Sequence, residues 1–369
     1  MSFEKFYLKF LPYYSLIGIP LSISRSVVLV NLNIPFLVLG LILDIMIIGR
    51  NIKNISLDLN LRTLIFLLYG SLIIGVINSD SIPSRRIFTD ISNPLFFFLK
   101  IYIFSKVWRN YDIRSYIKYY AKVGLVGSLI LLPMTYFIFN SFGAQRLAIF
   151  PPMELPFGFY LVRSKLMAIL CLLVILLYGK RTLLISALGG YIYSLRSLKK
   201  RKIVISVFII FSGIYLYSIF LNNSESLALA RLNRTIEQLY TVDPEELLEV
   251  IGGARYKEYE AITNEMDSLD YFIGKGVGFT YEYFHNNQYR EVANAHFSPL
   301  GLTSKYGIFF AFFTYFIIFR ITFRSYKNSK TRRILQITSC LLIIESFFAY
   351  SIFVMPIFPV VLGYLEQSR

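Results

Sequence analysis

The chain has 369 residues, 56% of them hydrophobic and only 16% charged, which is too apolar for a water-soluble protein of this size. Its formal net charge of +16 would suit a nucleic-acid binder if it lay on a soluble surface, but residues 222–297 carry thirteen acids against six bases (net −7), and the remainder carries 32 bases against 9 acids (net +23) in short connections between apolar runs. The positive-inside bias of membrane proteins produces that distribution, and nucleic acid is disfavoured as a partner.

Crossing a bilayer takes about 20 mostly apolar residues. Runs of that kind fall at 7–24, 27–48, 63–79, 93–107, 119–139, 152–179, 182–198, 203–221, 298–319 and 334–366, the last long enough for two crossings with a turn near Pro356 or Pro359. The expected fold is all-α: a polytopic integral membrane protein of about 11–12 transmembrane helices, with one large helical extracytoplasmic loop. Residues 1–221 hold the first spans, 222–297 the loop and 298–369 the C-terminal spans. Lys5 and Lys9 stand at the start of the first run and no small-residue cleavage site follows, so it is read as a span and not as a removed signal.

Three connections are short and strongly basic: Lys106 to Lys118, Arg196 to Lys202, and Arg320 to Arg333. All three are expected to be cytoplasmic, which puts the acidic loop outside. An even number of crossings must separate the first two connections, yet three apolar runs lie between them. The run 152–179, interrupted by Arg163 and Lys165, is therefore expected to be split, with 152–162 a half-helix and 166–179 the next crossing. Gly179-Lys180-Arg181-Thr182 then lies outside. Pro151 and Pro152 mark interrupted backbone, which membrane proteins tolerate only where it is buried in protein or faces water. Cys171 and Cys340 sit in apolar runs and read as core residues.

Within the loop, Asp243-Pro244-Glu245-Glu246 has the form of a helix start: Asp at the cap, Pro at the first helical position and Glu closing a capping box. A second helix is expected from Ala254 to Leu269, with Arg255, Tyr259, Ile262 and Met266 along one side. Gly274-Lys275-Gly276-Val277-Gly278 has the wrong spacing for a dinucleotide fingerprint and reads as a flexible turn back to the bilayer. His285 follows, and then His296 at the outer membrane boundary.

His296 is read either as a solvated interfacial residue or as a base beside a membrane-bound substrate. Arg85, Arg86, Arg146, Arg181, Arg231, Arg234 and Arg255 all lie on the expected outer side, against the positive-inside bias, and so call for partners. Either carboxylates such as Glu258 and Glu154 supply them, or the arginines converge on an anionic substrate, since guanidinium grips phosphate oxygens bidentately. Within the spans, Asp44 and Lys100 read as snorkelling near the cytoplasmic ends, and Glu345 as half of a buried pair.

Taken in order, Arg146 before the stretch RLAIFPP, GKRT at 179–182, a basic turn, Arg255 in GARYKEYEAI, GKGVG and AHFSPLGLTSKYG resemble the O-antigen polymerase and O-antigen ligase superfamily over residues 140–320. Lys180 and Phe297 depart from the family, which has a serine-rich approach to its first arginine and His-Asn at its last motif. The resemblance implies a membrane glycosyltransferase that polymerises polyprenyl-pyrophosphate-linked oligosaccharide units into O-antigen, capsule or exopolysaccharide on the outer face of the bacterial cytoplasmic membrane. It implies catalytic roles for His296, Arg255 and Arg181, and pyrophosphate binding by Arg146, Arg181 and Arg255. It requires no cofactor or metal, and its partners are the lipid-linked oligosaccharide as donor and acceptor, membrane lipids and a chain-length regulator. An O-antigen ligase differs only in acceptor. A flippase for the same units is the rival from another class, although no internal repeat supports it.

Overall fold

The computed structural model describes residues 2–27, 33–55, 58–78, 84–142, 151–178, 181–195, 254–285, 288–324, 329–347 and 352–367, and everything below concerns these. They are mostly helical. The expected span 203–221, the expected helix from Asp243, and Arg146, Arg231 and Arg234 lie outside them.

The membrane-like part comprises α1 (Phe3–Val27), α2 (Asn33–Asn51), α3 (Leu59–Ile77), α4 (Ser84–Val107), α5 (Ile113–Phe142), α6 (Glu154–Arg163), α7 (Lys165–Leu177) and α8 (Arg181–Leu195). The acidic segment contributes α9 (Ala254–Glu265), α10 (Ser268–Ile273) and an antiparallel hairpin, β1 (Tyr281–His285) with β2 (Gln288–Val292). Then come α11 (Ser298–Phe323), α12 (Lys330–Ser346) and α13 (Phe358–Gln367). Local chemistry sets several of these starts. Asp58 caps α3 by accepting from Leu61 N–H, Ser164 caps α7 and Ser329 caps α12.

Leu59–Ile77, Arg86–Val107, Ile113–Met134 and Ser298–Phe323 are long and apolar enough to cross a membrane. Their outward faces carry exposed Phe66, Ile77, Ile130, Phe309 and Phe312, surface that lipid would solvate. The inward faces pack aromatically, as where Phe97 of α4 meets Phe353 and Phe358 edge-on.

The first and third basic connections and the end of α8 gather at one end of the molecule. Arg333 donates to the Ser194 carbonyl at 2.6 Å, joining the end of α8 to the start of α12, and Tyr364 lies within electrostatic range of both Arg114 and Arg332. From that end α12 runs away, and α8 runs back along it: Gly190 packs on Ile337 and Leu341, and Gly189 on Ile344. Arg181, the first residue of α8, therefore sits toward the opposite end.

The run 152–179 breaks at Ser164, whose extended backbone separates α6 from α7. Gly158 packs on Thr338 while Glu154 reaches Glu345, so α6 runs antiparallel to α12, toward the basic end. Gly124, well inside α5, meets Pro156 and the Pro152 carbonyl, so α6 begins part-way along the bundle as a half-helix. Its entry, residues 151–158, is buried in protein throughout. The run 334–366 likewise divides, α12 and α13 being separated by a 3-10 turn at Ile352–Val354.

Several side chains differ from expectation. Asp44 and Lys100 do not snorkel separately but pair at 2.6 Å, with Tyr7 donating to the other Asp44 oxygen. Glu345, by contrast, has the buried partner expected of it, in Glu154. The helix expected over 254–269 ends at Glu265, because Asp267 and Asp270 form a capping box that starts α10. Tyr259 is half exposed, Glu258 and Ile262 form the buried side of α9, and Met266 is buried just beyond its end.

Candidate functional site

Helix α11 is interrupted. Gly307 has φ +81°, a left-handed conformation open to glycine at little cost, and a turn of helix cannot continue through it. The carbonyls this releases are taken up by the glycine loop and α3: Ser304 O accepts from Lys275 N at 2.7 Å, and Lys305 O from Gly276 N at 3.0 Å and Ser71 Oγ at 2.8 Å. GKGVG is therefore no free turn. It is a plug that satisfies broken backbone inside the bundle, and at Gly276 (φ +95°) a Cβ would strike the backbone of Ile74 and Gly75 in α3.

The plug also meets Asp90. Pro94 lacks the N–H that would bond the Asp90 carbonyl within α4, and the Tyr306 hydroxyl donates to that carbonyl at 2.6 Å. The Asp90 side chain accepts from Gly278 N at 2.9 Å and from Lys305 Nζ at 2.7 Å; Lys305 donates also to Asn294 Oδ1 at 3.1 Å. Both Asp90 and Lys305 are buried. Beside them lies a small pocket of about 20 Å³, room for about one water, lined in part by Asn294, Ala295 and Ser298 from the chain on either side of His296.

His296 follows the hairpin, and α9 holds it. Glu258 accepts from His296 N at 3.0 Å and meets His296 Nδ1 at 3.1 and 3.2 Å, while Tyr281 of β1 donates to the same carboxylate. Burial pushes the Glu258 carboxyl up, but the hydrogen bonds from His296 and Tyr281 outweigh it and hold it below the ordinary glutamate range. Burial, with Glu258 beside it, raises the Tyr281 hydroxyl well above its usual value, so it stays a donor. Since a carboxylate only accepts, Nδ1 carries the imidazole proton and Nε2 is left as an acceptor. The side chain of Glu258 is 3% exposed and that of His296 49%, so a buried anion orients a solvent-reachable base.

No family model, no curated protein and no solved structure matches the chain.

Of the expected site residues, His296 is the one whose side chain the structure describes. Arg255 is the second residue of α9, three positions before Glu258, and Arg181 opens α8; the side chains of both, and all of Arg146, lie outside the described residues. Arg86 has a carboxylate partner, Glu291 of β2, bound bidentately at 2.6 and 3.1 Å. Glu258, named above as an arginine partner, serves His296 and Tyr281. Sequence reasoning passed over Asp90, Asn294 and Lys305. The signals were available: a lysine inside an apolar run, and an aspartate four residues before a proline that frees its carbonyl.

Proposed function

We propose that the chain is a multi-span glycosyltransferase that joins polyprenyl-pyrophosphate-linked oligosaccharide repeat units into polysaccharide on the outer face of a bacterial cytoplasmic membrane. The observation that carries this reading is His296 held by the buried Glu258 carboxylate through Nδ1, with the His296 side chain itself 49% exposed. A sugar hydroxyl is a poor nucleophile at neutral pH, and a positioned imidazole removes that difficulty.

In the proposed step the acceptor hydroxyl oxygen attacks the anomeric carbon of the donor glycan. Its proton passes to His296 Nε2, the bond from the anomeric carbon to the phosphate oxygen breaks, and polyprenyl pyrophosphate leaves with the electron pair. Arg181, Arg255 and Arg146 are proposed to receive that charge, the electrostatic term that usually matters most. Further support comes from the clustering of the first and third basic connections at one end and of the His296 elements away from it, as the positive-inside bias requires of an extracytoplasmic site.

Two losses test the reading in cells. Removing the protein is expected to leave single repeat units on the outer leaflet; their accumulation on the inner leaflet would indicate a flippase and overturn it. His296→Ala and Arg255→Ala are each expected to abolish long-chain glycan at unchanged membrane abundance, and normal ladders in both would overturn the site assignment.

A further inference from the structure

Helix α10 is amphipathic the wrong way round for water. Leu269, Phe272 and Ile273, at i, i+3 and i+4, share one face and are 61%, 54% and 41% exposed. Its buried residue is polar: Asp270 pairs with Lys275 at 2.6 Å and accepts from Asp267 N at 2.9 Å. A helix standing in water buries its apolar stripe and exposes its acids. The exposed stripe is continuous with the surface that lipid would solvate, because the Phe272 ring meets that of Phe309 on α11 at 6.3 Å between centroids.

The depth of α10 follows from its contacts. A Cβ at Gly307 would strike the Phe272 carbonyl, so the end of α10 lies level with the break in α11. The chain then enters the plug, where Gly276 lies against Gly75 of α3. Helix α3 starts at the basic end, since Tyr102, near the end of α4, donates to Asp58 at 2.6 Å. Gly307 stands thirteen residues before Arg320 on α11, and Gly75 thirteen after Arg62 on α3. At about 1.5 Å per residue each interval rises about 20 Å through a hydrocarbon layer about 30 Å thick, which leaves Phe272 about 10 Å below its far boundary. Tilt of either span would shorten the rise and set α10 deeper.

We infer that α10 is an interfacial helix seated in the acyl chains of the leaflet remote from the basic connections, with lipid as the partner of its Leu269, Phe272 and Ile273 face. The inference goes beyond the glycosyltransferase reading and does not depend on it. Glu265 and Asp267 are exposed at the start of α10, so apolar burial and not attraction to anionic headgroups holds the helix there. Only Met266 and Asp267 separate α9 from α10. A seated α10 therefore keeps Glu258, and with it His296, close against the bilayer surface.

The test uses the full chain in phosphatidylcholine nanodiscs. In a chain lacking Cys171 and Cys340, Phe272→Cys and, separately, Tyr289→Cys carry a nitroxide, and its collisions with oxygen and with a water-soluble nickel chelate are read by power-saturation EPR. In Phe272→Cys the accessibility to oxygen is expected to exceed that to the chelate severalfold, with the order reversed in Tyr289→Cys, where the native side chain is exposed on the hairpin. The unmodified chain gives a second reading that no substitution can disturb: phosphatidylcholine with a photoreactive diazirine in its acyl chain is expected to leave adducts on residues 269–273. Chelate access in Phe272→Cys equal to that in Tyr289→Cys would show a helix in water. Access to neither reagent, or a chain with no acyl adducts on α10, would show a face covered by another segment or by a second copy. Each of these results would overturn the inference.

Discussion

Replacing Glu258 by Gln keeps the side chain's length and removes its charge. The native carboxylate receives three donors: His296 N–H at 3.0 Å, the His296 Nδ1 proton at 3.1 Å and the Tyr281 hydroxyl. Glutamine has one acceptor oxygen, so at least one of these donors meets an NH2 group instead. A hydrogen bond to a charged group contributes about 1.5–3 kcal/mol, and a buried donor left bare costs about 1–3 kcal/mol. The Tyr281 hydroxyl can rotate to accept from the new amide, so the loss concentrates on His296, whose tautomer is no longer fixed. Since base catalysis supplies about 10²–10⁴ in rate, turnover is expected to fall by roughly 10² or more while the protein still purifies as a folded species. The assay is chain extension on a lipid-linked repeat unit, paired with nitrogen-15 NMR of the imidazoles; the chain has two histidines, and His285→Gln leaves the His296 signals alone. Wild-type turnover, together with an unchanged His296 tautomer in Glu258→Gln, would refute the reasoning.

The remaining predictions concern the frame around the dyad. Gly276→Ala adds left-handed strain of about 1–2 kcal/mol to a collision with the α3 backbone, and loss of monodisperse protein on size exclusion is expected; normal yield and melting would contradict the plug. Lys305→Met strands the buried Asp90 and is expected to cost about 3–5 kcal/mol, whereas Asp90→Asn with Lys305→Met should recover most of it, as thermal unfolding in detergent would report. Arg86→Ala, at an exposed pair, should change stability by less than about 1 kcal/mol. The folded pKa of Glu258 lies below its unfolded value of about 4.3, so its stabilisation is complete above that pH and lost as pH falls through the folded value; the thermal midpoint should drop below about pH 4, less so in Glu258→Gln.

Orientation in the membrane is open to a separate chemical test. Tyr289 on the hairpin is 76% exposed, and Cys171 and Cys340 are buried and replaceable. Tyr289→Cys in a chain lacking both cysteines is expected to react with a membrane-impermeant maleimide on intact cells; labelling only after lysis would put the hairpin inside.

The helical frame was legible because periodic apolar length and the distribution of basic residues are properties of single segments. The split near Arg163 could be argued from crossing parity alone, and the backbone break falls at Ser164. Single-segment reasoning failed where a residue's role depends on a distant partner. Asp90 and Lys305 lie 215 positions apart, and nothing local to either announces their pairing. The glycine loop looked flexible because its contacts, Ser71 and Lys305, belong to other helices. No sequence signal near Glu258 points to His296, 38 positions on. The hairpin escaped notice because its strands are only five residues each and carry charges at Glu282, Arg290 and Glu291.

The most direct test of the glycosyltransferase reading is to incubate the purified protein in nanodiscs with one polyprenyl-pyrophosphate-linked repeat unit and resolve the products by size. A ladder of increasing chain length, with release of polyprenyl pyrophosphate and its loss in His296→Ala, is the predicted result. Folded protein that returns the repeat unit unchanged, or a ladder that His296→Ala leaves intact, would contradict the account.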